Sequence, residues 1–244
     1  MNLAIIGAGE SSRIKSEGLK VSKHMIKING EYLIERIIRI ARNNGAQKVI
    51  CIINSHEPEL KEYLLTNNFG IPLKLIVQDT ASSMHSLFAL SPYLMKESFC
   101  LATTDSVFLE NEFSDFINYS LSHQEVEGTL AVTQFIDDEK PLCVKMNEEN
   151  TILQFFDSKD GCMWATGGIY YFSQKIFDEI NSALETGTTR LRNFLRLLIA
   201  NGYTLKAFPF SKIIDVDHIS DIEKAKEFLA NSKHQILSEG EKVN

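Results

Sequence analysis

No stretch of this sequence approaches the eighteen or so consecutive apolar residues of a membrane-spanning helix, and no basic segment followed by a long apolar one opens the chain. The expectation is a protein with neither a membrane span nor a signal peptide. Cysteine is scarce as well. Cys51, Cys100, Cys143 and Cys162 stand far apart without a C-x-x-C pair, several of them inside apolar runs. They read as buried free thiols of a reducing compartment, which places the protein in the cytoplasm. Positive charge is short overall: 25 lysines and arginines against 32 acids leave a net charge of −7, a poor basis for neutralising the phosphates of nucleic acid. His24, His56, His85 and His123 show no metal-ligand spacing and read as structural residues. The single tryptophan, Trp164, lies in an apolar strand. Stacking on a sugar face or a choline cation is open to it, but a place in the core fits this residue type better.

What remains is the balance of an ordinary globular protein. Hydrophobic residues make up 44% and charged residues 23% of 244 positions, enough for one large α/β core. One segment departs from the average: Arg13, Lys15, Lys20, Lys23 and Lys27 crowd into fifteen residues that hold a single acid, Glu17. Such a cluster on an acidic chain suits a small polyanionic ligand as well as it suits a solvated charged loop.

Apolar periodicity orders the first half as alternating strands and helices. Leu3 to Ile6 reads as a strand, and Ile34, Ile37, Ile38 and Ala41 follow helical spacing up to about Gly45. Then come a strand from Lys48 to Ile53, a helix from Pro58 to Leu65 and a strand from Leu73 to Val77. A helix near Met84 to Leu94 leads to SFCLATTD, a strand ending at Asp105. Crossovers of this length imply parallel pairing with helices on both faces. The second half is richer in strands: GTLAVTQF, PLCVKMN, TILQFF and MWATGGIYYF. Helices over Gln174–Leu184 and Arg190–Asn201, the strand TLKAFPF, a short KIIDVD and a helix from about Ser220 to Ala230 follow. The predicted fold is an α/β protein, a Rossmann-like three-layer α/β/α arrangement around a mixed, mostly parallel sheet. It forms a single domain over residues 1–232, with a polar tail at 233–244.

The segment IGAGESSR poses the sharper question, because a glycine loop after an apolar strand can hold phosphate in several ways. A dinucleotide loop needs a third glycine where this chain has Ser12, and a P-loop needs a lysine after its second glycine, which is absent. A third pattern, L-A-A-G-x-G-x-R followed about ten residues later by [PS]-K, is matched by Arg13 and by VSK with Lys23. Later segments arrive in a matching order. FCLATTDSVF resembles a strand ending in a metal-binding aspartate, WATGGIYYFSQKIFDEI resembles N-x-G-[IL]-Y-x-F, and IIDVDHISDIEKAKEFL resembles D-V-D-T-x-E-D-L-x-x-A. On these segments, over roughly residues 1–230, the chain resembles the sugar-phosphate nucleotidyltransferases, also called nucleoside-diphosphate-sugar pyrophosphorylases.

The resemblance implies transfer of a nucleoside monophosphate from a nucleoside triphosphate to a sugar 1-phosphate, with release of pyrophosphate and Mg²⁺ as cofactor, the first half of the domain binding the nucleotide and the second half the acceptor. The attacking group is already an anion, so positioning and charge neutralisation carry such a reaction, and the metal wants carboxylate oxygens. By the same resemblance Arg13 and Lys23 are the catalytic cations, and Gly7, Ala8, Gly9, Glu10, Ser11 and Ser12 wrap the triphosphate. Gln78, Ser82 and Ser83 meet the base. Asp105 and Asp217 are the metal ligands, with Asp215 an alternative to the latter. Asp157, Thr166 and Gly168 face the acceptor. Asp221 caps or buttresses the last helix, and His218 is a bystander. Arg190, Arg192 and Arg196 read first as a solvated face and second as a homodimer contact or an acceptor-phosphate site.

The chain departs from the pattern at Ser11, where a second glycine is usual, at Asp157-Ser158 in place of Glu-Lys, and at Thr166 in place of Asn. Thymine, uracil, cytosine and guanine stay open as the base. Phosphocholine, a heptose phosphate and other polyol phosphates stay open beside a hexose 1-phosphate. Two other classes compete. A glycosyltransferase would put its metal on a D-x-D motif, and the one D-x-D here is Asp215-Val216-Asp217 near the C-terminus. A silent nucleotide-binding sensor would have little use for Lys23 and both metal aspartates.

Overall fold

The protein is described here as a computed structural model, which covers residues 1–7, 14, 16–19 and 21–240, with side chains to residue 231. The expected loop residues Ala8, Gly9, Glu10, Ser11, Ser12 and Arg13 lie outside the described residues. β1 (Asn2–Gly7) is followed by a 3₁₀ turn (Lys23–Met25), a small hairpin of β2 (Lys27–Ile28) and β3 (Glu31–Tyr32), and α1 (Leu33–Asn43). Next come β4 (Val49–Ile53), α2 (Pro58–Thr66), β5 (Leu73–Val77), α3 (Ser83–Leu90), β6 (Phe99–Thr103), β7 (Ser106–Val107) and α4 (Glu110–Ser122). The second half contributes β8 (Gly128–Thr133), β9 (Cys143–Met146), β10 (Ile152–Phe156), β11 (Ala165–Phe172), α5 (Ile180–Glu185) and α6 (Leu191–Ala200). β12 (Leu205–Phe210), β13 (Ile214–Asp215) and α7 (Ile219–Gly240) complete it.

The central sheet runs β5-β4-β1-β6-β11, and β11 also pairs with β8, which pairs with β12, and at Ala165 with β9, which pairs with β10. Of its strands only β10 and β11 run against the rest. β1 shows why this is a three-layer core. Its alternate residues point to opposite faces, Leu3 and Ile5 into the cluster beneath α1, α2 and α4, and Ala4 and Ile6 into the cluster beneath α3 and α6. A strand buried on both faces reads as the unbroken apolar run seen in the sequence.

Three elements differ from the sequence reading. The sequence pattern predicts no element at α4, although Phe113, Phe116, Ile117 and Ser120 are buried at helical spacing and Glu110 and Glu112 favour its first turn. The helix expected over Gln174–Leu184 begins as a 3₁₀ run (Gln174–Glu179) and becomes α-helical only in α5. α7 continues to Gly240 rather than ending near Ala230, since residues 231–239 hold neither glycine nor proline to stop it. Among the described residues no helix is long and apolar enough to cross a membrane.

The cysteine reading is corrected. Cys51 and Cys100 are buried free thiols, but Cys143 and Cys162 form a disulfide, so cysteine usage no longer argues for a reducing compartment. The cause is sheet register: Cys143 pairs with Ala165, which brings the chain just before β11 alongside, with the two Cα atoms 5.5 Å apart. At a sequence separation of 19, such a bridge stabilises the fold by about 2–4 kcal/mol, chiefly by restricting the unfolded chain. Dithiothreitol or Cys162→Ser is therefore expected to lower Tm by several degrees, and thermal melts with and without reductant test this. A Tm indifferent to both treatments would sink the assignment.

Candidate active site

A third, smaller apolar cluster organises the functional end of the sheet. Ile26 beside the 3₁₀ turn, Val107 of β7, Ile214 and Val216 around β13 and Ala225 of α7 pack together. Alternation then sends the neighbours of Ile214 and Val216 the other way, so that DVD presents Asp215 and Asp217 on one side. β13 pairs antiparallel with β7, Asp215 opposite Ser106, and the Val216 N–H donates to the Asp105 carbonyl at 3.0 Å. The end of β6 and the C-terminal DVD are thereby fastened together.

Lys23 lies between them. Its Nζ donates to Asp105 Oδ2 at 2.6 Å and also to Asp217 Oδ1, with the lysine side chain 9% exposed. Burial works against the ammonium, but Asp105 and Asp217 outweigh it and hold Lys23 above the ordinary lysine range. Burial likewise works to raise the carboxyl of Asp105, and the Lys23 charge overrides it and keeps Asp105 well below the usual carboxylate range. Asp215 behaves oppositely. Removal from water and the nearby charge of Asp105 push it up to about 7, against the Ser106 hydroxyl, which donates to Asp215 Oδ1 at 2.9 Å.

The raised acid makes a checkable stability statement. An aspartate in the unfolded chain ionises near pH 3.9, whereas Asp215 holds its proton to about pH 7. Between these values the unfolded state is favoured progressively as pH rises, so the penalty is absent at low pH and complete above pH 7. Asp215→Asn, measured in EDTA, is expected to raise Tm at pH 8 and leave it unchanged at pH 4. An equal change at both pH values would contradict this.

Surrounding groups hold the frame. His24, buried next to Lys23, hydrogen-bonds Thr104 through Nδ1, and a Cβ on Gly7 would lie 3.4 Å from its Cε1 and 3.3 Å from the Ile52 carbonyl. Gly168 has φ +73°, and a Cβ there would sit 2.5 Å from both Thr103 Oγ1 and Ser106 Oγ. Only glycine allows β11 that approach. Asp221 Oδ2 accepts from the backbone N–H groups of Asp217 and His218, and so secures the start of α7. Glu17 accepts from the Ile219 N–H at 2.8 Å and contacts His218 Nδ1 at 2.5 Å, which ties Glu17 to the start of α7. A cavity of about 190 Å³ opens beside this cluster, lined among others by Thr166, Gly167, Asp215, Asp217 and His218.

The donor chemistry suits a hard divalent cation. Two carboxylates from distant parts of the sequence converge on one positive centre, and Mg²⁺ is commonly held by one or two carboxylates with substrate phosphates and water completing its shell. Among the described residues no group of three or more histidines, cysteines or acids could hold an ion by itself, so ligands from a substrate would be needed.

Residues 3–232 match the family model described as nucleotidyl transferase. The chain belongs to the nucleotidyl transferase family. It is an enzyme, a nucleotidyltransferase. One curated relative, the D-glycero-alpha-D-manno-heptose 1-phosphate guanylyltransferase of Campylobacter jejuni, is 24% identical over 73% of this chain and 79% of its own. Another, the bifunctional IPC transferase and DIPP synthase of Aquifex aeolicus, is 22% identical over 97% of this chain, which spans 53% of that longer protein. Among solved structures, the inositol-1-phosphate CTP transferase from T. maritima superposes with a TM-score of 0.78 at 22% identity, over 93% of this chain and 96% of that one. A putative glucose-1-phosphate thymidylyltransferase from Bacillus anthracis gives 0.82 at 15% identity, over 93% and 94%. The Rossmann-like α/β fold of these neighbours is the one described above.

Within this nucleotidyltransferase, Lys23, Asp105 and Asp217 are brought together, with Gly7 and Gly168 at the same end of the sheet. The expected base-reading residues are placed differently from a free loop. Gln78 follows β5, its N–H donating to the Ile53 carbonyl at 2.9 Å, while Ser82 Oγ and Ser83 Oγ accept from the N–H groups of Arg190 and Leu191 at 3.1 and 3.2 Å. The two serines thus cap α6. Asp157 is paired at 2.8 Å with both Arg192 and Arg196, so these arginines, read first as a solvated face, hold the segment before β11 instead. Thr103, Thr104 and Ser106 escaped notice; the polar run that follows the apolar β6 was the available signal.

Proposed function

We propose that this enzyme transfers a nucleoside monophosphate from a nucleoside triphosphate to a sugar 1-phosphate or a polyol phosphate, expelling pyrophosphate. The convergence of Lys23, Asp105 and Asp217 at one end of the sheet carries this reading. The names of the relatives support it in kind, since heptose 1-phosphate, glucose 1-phosphate and inositol 1-phosphate all occur among them.

In this mechanism the acceptor phosphate attacks the α-phosphorus, and no protein nucleophile is required. Lys23, with Arg13, brings positive charge to the triphosphate and its departing pyrophosphate. Mg²⁺ held by Asp105 and Asp217 would neutralise charge on the phosphates as a Lewis acid. Gly7, Ala8, Gly9, Glu10, Ser11 and Ser12 cradle the triphosphate through backbone N–H groups, and Gln78 and the Ser82–Ser83 turn border the base. Thr166, at the cavity, and Gly168 flank the acceptor, with Asp157 and its two arginines shaping the segment before β11.

The test is pyrophosphate release with Mg²⁺ for each common nucleoside triphosphate against sugar 1-phosphates, polyol phosphates and phosphocholine. Release with one base and a phosphorylated sugar or polyol, with the matching nucleotide product by mass spectrometry, is expected. Release with phosphocholine alone would change the acceptor class. Triphosphate binding without release across the whole panel would point to a silent nucleotide-binding protein.

A further inference from the structure

We infer that Lys23 is the resident cation of the free enzyme: it fills the divalent-ion position between Asp105 and Asp217 and has to leave when metal enters. This rests on the two aspartates being the metal ligands, as in the proposed function.

The geometry is one of exclusion. Lys23 Nζ sits 2.6 Å from Asp105 Oδ2 and is hydrogen-bonded to Asp217 Oδ1. An Mg²⁺ bound to those same oxygens lies about 2.1 Å from each, inside the volume the ammonium occupies. Two positive centres do not share that space. Nor is the position easily vacated, because the carboxylates of Asp105 and Asp217 both meet there. Withdrawing Lys23 with nothing in exchange would leave carboxylates facing one another in partly buried surroundings, a costly arrangement. Exchange of one cation for another avoids that cost.

Lys23 opens the short 3₁₀ turn whose next residue, His24, packs against Gly7 at the exit of β1. Its ammonium rides on a flexible four-carbon stem, close to where the triphosphate loop begins. Metal alone compensates the two carboxylates but leaves the expelled ammonium without an anionic partner, whereas metal arriving with a triphosphate offers Lys23 new anionic partners. The two ligands should bind with positive coupling, and coupling is reciprocal. The lysine thus makes divalent-ion binding depend on the nucleotide.

Two measurements without nucleotide test the exchange. Mn²⁺ binding, followed by electron paramagnetic resonance, is expected to be about tenfold tighter or more in Lys23→Met than in the unaltered enzyme, a gain of about 1.4 kcal/mol. Equal or weaker binding would overturn the inference. Because Lys23→Met could also disturb folding, the second measurement uses the unaltered enzyme. Acetylation of Lys23 by acetic anhydride, read by peptide mass spectrometry, should run several-fold faster at Mg²⁺ concentrations high enough to displace bound Mn²⁺. A rate unmoved or slowed by Mg²⁺ would show that Lys23 stays in place. Pyrophosphate release with neither response would defeat the exchange alone, whereas both responses without pyrophosphate release would leave the exchange standing and defeat the proposed activity.

Discussion

Asp105→Asn is expected to lower kcat for pyrophosphate release by about 10²–10³-fold while leaving the fold intact. The side chain keeps its shape, and the backbone bond from the Val216 N–H to the Asp105 carbonyl does not involve it. What disappears is the charge that faces Lys23 at 2.6 Å and that would hold the metal. Asn still offers one oxygen to a cation, but an amide oxygen is a much poorer ligand for Mg²⁺ than a carboxylate, so higher Mg²⁺ should recover only part of the rate. Steady-state kinetics over a range of Mg²⁺ concentrations, with circular dichroism as the folding control, would measure this. A kcat within about tenfold of the unaltered enzyme would remove Asp105 from the metal site.

Lys23→Ala should act on rate and on stability together. If the ammonium tightens its grip on the phosphates as charge moves to the leaving pyrophosphate, its loss falls on the transition state. We expect kcat to drop about 10²-fold with KM for the triphosphate changed less than about threefold. A change confined to KM would mean that Lys23 only binds. The stability effect follows from the same contacts. Lys23 is 9% exposed in its side chain, its partners 26% and 32%, and removing one member of such a pair costs about 3–5 kcal/mol because the other charges are left uncompensated. Urea unfolding in EDTA should show the loss, and Mg²⁺ should restore more stability to the variant than it adds to the unaltered enzyme. A variant as stable in EDTA as its parent would argue that the ion pair contributes little.

Much of the fold was legible because its signals are local. The apolar runs at β1, β4 and β6 announced buried parallel strands, and Ile34, Ile37, Ile38 and Ala41 announced α1 by their spacing. α4 went unread because its buried Phe113, Phe116 and Ile117 are interleaved with Ser114, Asp115 and Asn118, which blurs a helical stripe to the eye. Lys23, Asp105 and Asp217 were named from motif resemblance, and the structure brings the three within hydrogen-bonding reach. Asp157 was named in the same way, yet its carboxylate is engaged by two arginines of α6. Nothing in the spacing of a strand and a distant helix announces such a pairing.

The sequence by itself determined the alternation of strands and helices and the same-side placement of Asp215 and Asp217, because each depends on backbone periodicity over a few residues. Only the tertiary structure decided that Lys23 bonds Asp217 while Ser106 engages Asp215 across 109 residues of chain. It also decided that Cys143 meets Cys162, and that Ser82 and Ser83 cap a helix of the other half. These contacts are set by the register of β13 on β7, the entry of the chain into β11 and the packing of α6 on α3. Register between distant segments follows from how whole faces bury together, which no local pattern encodes.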